Sequence, residues 1–185
     1  MTQEQRFDVA GQVGDYELRK YHACVIAEVS VASDFQGASN AGFQPLFNYI
    51  AGSNHTNSKV AMTTPVLQES GTKIETTERP IEFSDEGEHK VGFVMPGHFS
   101  KTSELPVPND SRVTLREIAE ELVVIDRFSG NWSHEVYLKR LGKMLAAIES
   151  SGYTVAGSPR FARFNPPWTP RFMRRNEIQV PVTRK

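Results

Sequence analysis

The chain has 185 residues, 38% hydrophobic and 23% charged, which suits one packed domain and excludes a disordered or fibrous chain. A formal net charge of -1 supplies no overall attraction to nucleic acid. Cys24 is the single cysteine, so no intrachain disulfide can form, and no apolar run approaches the roughly 18 residues of a membrane span.

The first twenty residues contain no apolar signal core, so a cytoplasmic protein is expected. The first regular segment, Tyr16 to Val31, is rich in β-branched and aromatic residues and predicts a strand. Cys24 sits inside it and reads as a small buried hydrophobe. A helix is expected next, in "SDFQGASNAGFQPLFNYIAG", with Ser33 or Asp34 as N-cap and Gly52 as C-cap. Pro45 lies within it and implies a kink or a late start.

"KVAMTTPVLQE" predicts a strand, in which Val60, Met62 and Thr64 share one face and Lys59, Ala61, Thr63 and Pro65 the other. "TKIETTERPIEFSDEGEHK" is compatible with a hairpin, and "HKVGFVMPGHF" with a strand ending at Pro96. Pro106, Pro108, Asn109 and Asp110 mark a loop. "RVTLREIAEELVVIDRFSG" reads as a polar strand and then an apolar one, although local propensity allows a helix at "LREIAEEL". "SHEVYLKRLGKMLAAIESSG" predicts a helix capped by Ser133, with Leu138, Leu141, Leu145 and Ile148 as its stripe and Gly152 ending it. A strand, a Pro-rich loop and the terminal strand "RFMRRNEIQVPV" follow.

The pattern strand, helix, strand, strand therefore occurs twice, over approximately 15–98 and 112–182 of a single domain 1–185. The fold class expected is α+β: two pseudo-symmetric halves forming a distorted antiparallel β-barrel or curved sheet with two α-helices.

Motifs for common chemistries are missing. His22, His55, His89, His98 and His134 never form a metal-ligand pair, and there is no phosphate-binding glycine loop or nucleophile elbow. The basic run "RFMRR" is followed by Glu177 and reads as solvated strand charge, so no nucleic-acid partner is expected. Aromatic and Met side chains beside cations are the more unusual feature. Lys59 precedes Met62; Phe93 and Met95 share a strand face; Phe172 and Met173 precede Arg174 and Arg175. Soft apolar walls with cations at the rim suit a flat, amphiphilic acid.

Four stretches, "DYELRKY", "KVAMTTPV", "VGFVMP" and "PPWTPRFMRRNEIQVPV", come in order between Asp15 and Val182. Together they resemble the SOUL haem-binding protein family, whose second motif is close to K-[IV]-x-M-T-x-P-V. The resemblance implies a distorted β-barrel related to the GyrI-like small-molecule-binding domains. It also implies haem or another tetrapyrrole as cofactor and partner, held by a non-catalytic carrier or buffer in an apolar groove. Met62, Phe93 and Met95 would be walls of that groove, and Lys59, Arg174 and Arg175 would meet the propionates. Animal members have a proposed iron-ligating His where this chain has Lys20, a poor ligand while protonated. His22, two residues on, is the substitute metal ligand that the resemblance allows. The alternative is a GyrI-like binder or hydrolase of another small hydrophobic molecule, with Glu177 as general base. Oligomeric state is not expressed in the sequence.

Overall fold

The structure is a computed structural model that describes residues 3–70, 86–166 and 168–185. In chain order the strands are β1 (Gln3–Glu4), β2 (Phe7–Val13), β3 (Tyr16–Tyr21) and β4 (Cys24–Asp34). Helix α1 (Ala38–Ala51) precedes β5 (Thr63–Thr64), β6 (Val66–Ser70), β7 (Glu86–Val94), β8 (Thr114–Ile118) and β9 (Glu121–Ser129). Helix α2 (His134–Glu149) precedes β10 (Tyr153–Val155), β11 (Arg160–Arg163) and β12 (Arg175–Arg184).

The expected α+β class is what forms. One antiparallel sheet runs β2-β3-β9-β12-β11-β6-β7-β4-β8, and β10 pairs with the far end of β12. The sheet is curved and open, so the barrel alternative does not hold. Among the described residues β2 pairs only with β3 and β8 only with β4. Instead of closing onto β8, the N-terminal chain leaves β2 and sends β1 across to pair in parallel with β5.

Side-chain alternation sorts the sheet into two faces. Val25, Ala27 and Val29 of β4 and Val91 and Phe93 of β7 pack under α1 with Leu46, Tyr49 and Ile50. Val124, Ile178 and Val180 pack under Tyr137, Leu141, Met144 and Ile148 of α2. Among the described residues no helix covers the opposite face, yet Cys24, Ile26, Leu67, Val94 and Ala162 are buried together there.

Ser133 caps α2 as expected, its Oγ accepting from Val136 N at 3.2 Å. The buried stripe is Tyr137, Leu141, Met144 and Ile148, with Leu138 and Leu145 partly buried beside it. Gly52 ends α1 at φ 119°. That helix starts at Ala38, later than Ser33 or Asp34 would place it, and keeps Pro45 inside. "LREIAEEL" is strand: β8 pairs with β4, and β9 lies between β3 and β12. Sheet pairing overrides local helix propensity here. The strand expected from Lys59 is shorter than its pattern suggests. Residues 59–62 are irregular, β5 has two residues, and a cis Thr64–Pro65 bond separates β5 from β6. Proline has no N–H to give to a ladder. The hairpin expected at 72–90 lies largely outside the described residues.

Gly42 brings α1 close to the sheet. A Cβ there would lie 2.6 Å from the Val91 Cβ. Gly42→Ala is therefore expected to lower stability by about 1–3 kcal/mol, read by urea denaturation, because neither helix nor sheet can yield without disturbing packed neighbours.

Candidate functional site

Two strands meet at the middle of the sheet. β6 and β11 pair antiparallel as Val66↔Arg163, Leu67↔Ala162, Gln68↔Phe161 and Glu69↔Arg160. A cleft of about 410 Å³ opens on the helix face at the Val66–Arg163 end. α1 contributes Phe43, the β9–α2 connection contributes Trp132, and the β11–β12 connection contributes Trp168 and Arg174. Arg163 lies 4.5 Å from the Trp132 ring centroid, and its Nη2 donates to Gln68 Oε1. Among the described residues its Nε is buried without a hydrogen-bond partner, and burial pulls the guanidinium down to about 10. Arg174 Nε donates to Thr169 O at 2.8 Å. Aromatic faces and two guanidiniums thus converge on one opening.

The other face concentrates charge. Glu177, fully buried, accepts from Arg19 Nη1 at 3.1 and 3.0 Å and from Arg175 Nη2 at 2.9 Å. Gln179 Nε2 donates to Glu177 and to the Tyr21 hydroxyl, both at 3.3 Å. Burial opposes the Arg19 charge, but Glu177 and then Tyr21 outweigh it, and the net shift is upward. Burial, then the Glu177 carboxylate, pushes the Tyr21 phenol up to about 12. The N-terminal segment covers the cluster: Glu4 accepts from Arg175 at 2.9 Å and Phe7 lies 4.1 Å from the Arg19 guanidinium.

A smaller pocket of about 120 Å³ is lined by Gln5, His22, Cys24, Thr63 and Met95 among others. The His22 Nε2 is 2.8 Å from Asp8 Oδ2. Gln5 Nε2 donates to the Cys24 sulfur at 3.4 Å, and burial pushes that thiol up to about 11.

Residues 2–181 match the SOUL heme-binding protein family. The chain belongs to that family. It is 27% identical over 146 residues to heme-binding protein 2 of Homo sapiens, covering 78% of this chain and 67% of that protein. It is 24% identical to heme-binding protein 1 of Xenopus laevis, covering 96% of this chain and 86% of that protein. Its fold is similar to a chain in the EcmrR–DNA complex, with TM-score 0.69 and 14% identity over 92% of this chain. This chain spans only 58% of that one.

The SOUL-type motifs do not converge on a single pocket. Of the seven residues that the sequence suggests, Arg174 lines the aromatic cleft. His22 and Met95 line the small pocket instead. Phe93 is buried under α1, 5.3 Å from the Phe43 ring, and Arg175 is held by Glu4 and Glu177 on the opposite face. Lys59 and Met62 are exposed on the irregular stretch before β5. Lys20, at the position of the animal histidine, is 2.7 Å from Glu120. Phe43, Trp132 and Arg163 were not singled out by the sequence reading. The i, i+2 spacing of Phe161 and Arg163 puts both on the helix face, but only the fold brings Trp132 over them.

Glu177→Ala would leave Arg19 buried beside an empty site, so a loss of about 3–5 kcal/mol is expected by urea denaturation. Replacing both partners, Arg19→Met with Glu177→Leu, is expected to recover much of that loss. Cys24 is expected to react slowly with Ellman's reagent at pH 8, where about a thousandth of it would be thiolate. Its rate should climb roughly tenfold per pH unit until the pH nears the thiol's own value.

Proposed function

We propose that this chain binds haem, or another flat tetrapyrrole, in the aromatic cleft over the β6–β11 pair and acts as a non-catalytic cytoplasmic carrier or buffer. The observation that carries this reading is the placement of Phe43, Trp132 and Trp168 around one opening with Arg163 and Arg174. Aromatic faces favour a flat conjugated ring, and guanidiniums favour carboxylates through paired hydrogen bonds. A cleft of about 410 Å³ falls within the range of small-molecule sites. The names of the relatives in Homo sapiens and Xenopus laevis add support.

The donor set fits an unligated ring. Among the described residues lining the cleft there is no His, Cys, Met or Tyr, so its walls offer stacking and charge. Haem, when bound, supplies a redox-active iron. The chain's own residues stack on the ring, neutralise the propionates and shield one face from water. Arg163 suits that task because it lines the cleft beside Trp132. We also infer that approximately 15–98 and 112–182 are two copies of one unit within a single domain. The mirrored strand orders β4-β7-β6 and β9-β12-β11 support this, and they set the cleft at the junction of the halves.

Hydrolysis of another small molecule is less well supported. A general base needs a free carboxylate, and Glu177 is committed to Arg19, Arg175 and Gln179.

A hemin titration followed in the Soret region tests the proposal. Wild-type protein is expected to shift the band and saturate. Trp168→Ala removes a largely exposed ring, so the fold should survive while affinity falls about tenfold. His22→Ala is expected to leave band and affinity unchanged. A loss in the His22 variant alone would move the site to the small pocket, and no shift in the wild type would reject haem.

A further inference from the structure

We propose that the β11–β12 connection docks the protein onto an anionic lipid bilayer through Trp168, Phe172 and Met173. These side chains are 84%, 77% and 62% exposed, while most other large apolar residues are buried. Three such groups on one loop form a patch that water solvates poorly.

The loop holds them out by its backbone. Thr169 N donates to Pro166 O at 3.0 Å, and Met173 N donates to Pro170 O at 2.9 Å. Arg174 N donates to Arg171 O at 3.2 Å, and the Arg174 side chain ties back to Thr169 O. The apolar groups therefore project from a braced turn.

Charge selects the occupant. No Asp or Glu occurs from residue 150 to 176, a stretch that contains Arg160, Arg163, Arg171, Arg174 and Arg175. Arg160 is engaged by Glu121, and Arg175 by Glu4 and Glu177. Arg171 is exposed within the same turn as Phe172 and Met173. An indole, a phenyl ring and a thioether beside a cation match the interface between acyl chains and anionic headgroups. The patch projects outward, as an inserting wedge does. Trp168 also walls the aromatic cleft, so a docked loop would set that opening against the membrane. Docking through this loop surface does not depend on haem.

The test is flotation of the whole, haem-free protein with phosphatidylcholine vesicles, with and without about 30% phosphatidylserine. The wild type is expected to float with the anionic vesicles and to be released by high salt. Arg171→Glu is expected to weaken this about tenfold. The triple variant Trp168→Ser, Phe172→Ser, Met173→Ser should lose it while keeping its circular dichroism. Absence of wild-type binding would overturn the proposal, as would unchanged binding in the folded triple variant. A lipid-free dimer abolished by the triple variant would instead assign the patch to a second copy of the chain. A failed hemin titration would leave these outcomes readable.

Discussion

The pairing of β6 with β11 is the constraint on which the rest of the structure depends. Four residue pairs join β4-β7-β6 to β11-β12-β9. The register decides more than cohesion. Val66↔Arg163 puts a guanidinium on the helix face beneath Trp132, and Glu69↔Arg160 puts another on the opposite face beside Glu121. A shift by one residue would exchange these faces and dissolve both arrangements. Gln68 reinforces the register by donating to Phe35 O at 2.7 Å and accepting from Arg163. Phe35 then packs 4.7 Å from Tyr137, so the residue that leads into α1 is anchored in the core under α2.

The helix-free face solves a different problem. A sheet face with no helix packed on it must be filled by the sheet's own side chains and by neighbouring chain. Here the filling is partly ionic, with Glu177 between Arg19 and Arg175 and the N-terminal segment laid over them. Buried charge of this kind costs desolvation and holds only because each partner is satisfied. The same commitment leaves Glu177 poorly suited to chemistry. On the helix face, by contrast, aromatic rings and the guanidiniums of Arg163 and Arg174 line an open cleft. The loop that supplies Trp168 to this cleft also carries Phe172 and Met173 into solvent, so ligand site and outer surface share one element.

Much of the fold was legible in the sequence. The α2 stripe reads directly because one helical face repeats at constant spacing, and Ser133 announces its start. β4 and β9 carry short apolar runs, Cys24 to Ala27 and Leu122 to Ile125, and β12 repeats Ile178, Val180 and Val182 on one face. β8 was ambiguous because Leu115 to Leu122 has good helix formers, and only pairing to β4 resolves it. The stretch from Lys59 was misjudged in length: its alternation suits a strand, but Pro65 splits the ladder and residues 59–62 leave it. The site was legible only in kind. Aromatics beside arginines are visible there, yet the residues named from motifs, Arg174 excepted, disperse to four other places.

By itself, the sequence determined the family, the α+β class, the two helices with the Ser133 cap of α2 and the Gly52 end of α1, and the absence of familiar metal or nucleotide motifs. These depend on local spacing and on motifs that travel with the chain. Tertiary structure alone decided that the sheet stays open, that Glu177 is locked between two arginines, and that Phe43, Trp132, Arg163 and Trp168 surround one cleft. Those four residues lie on separate elements, and no periodicity within one segment encodes a meeting set by strand register and helix placement.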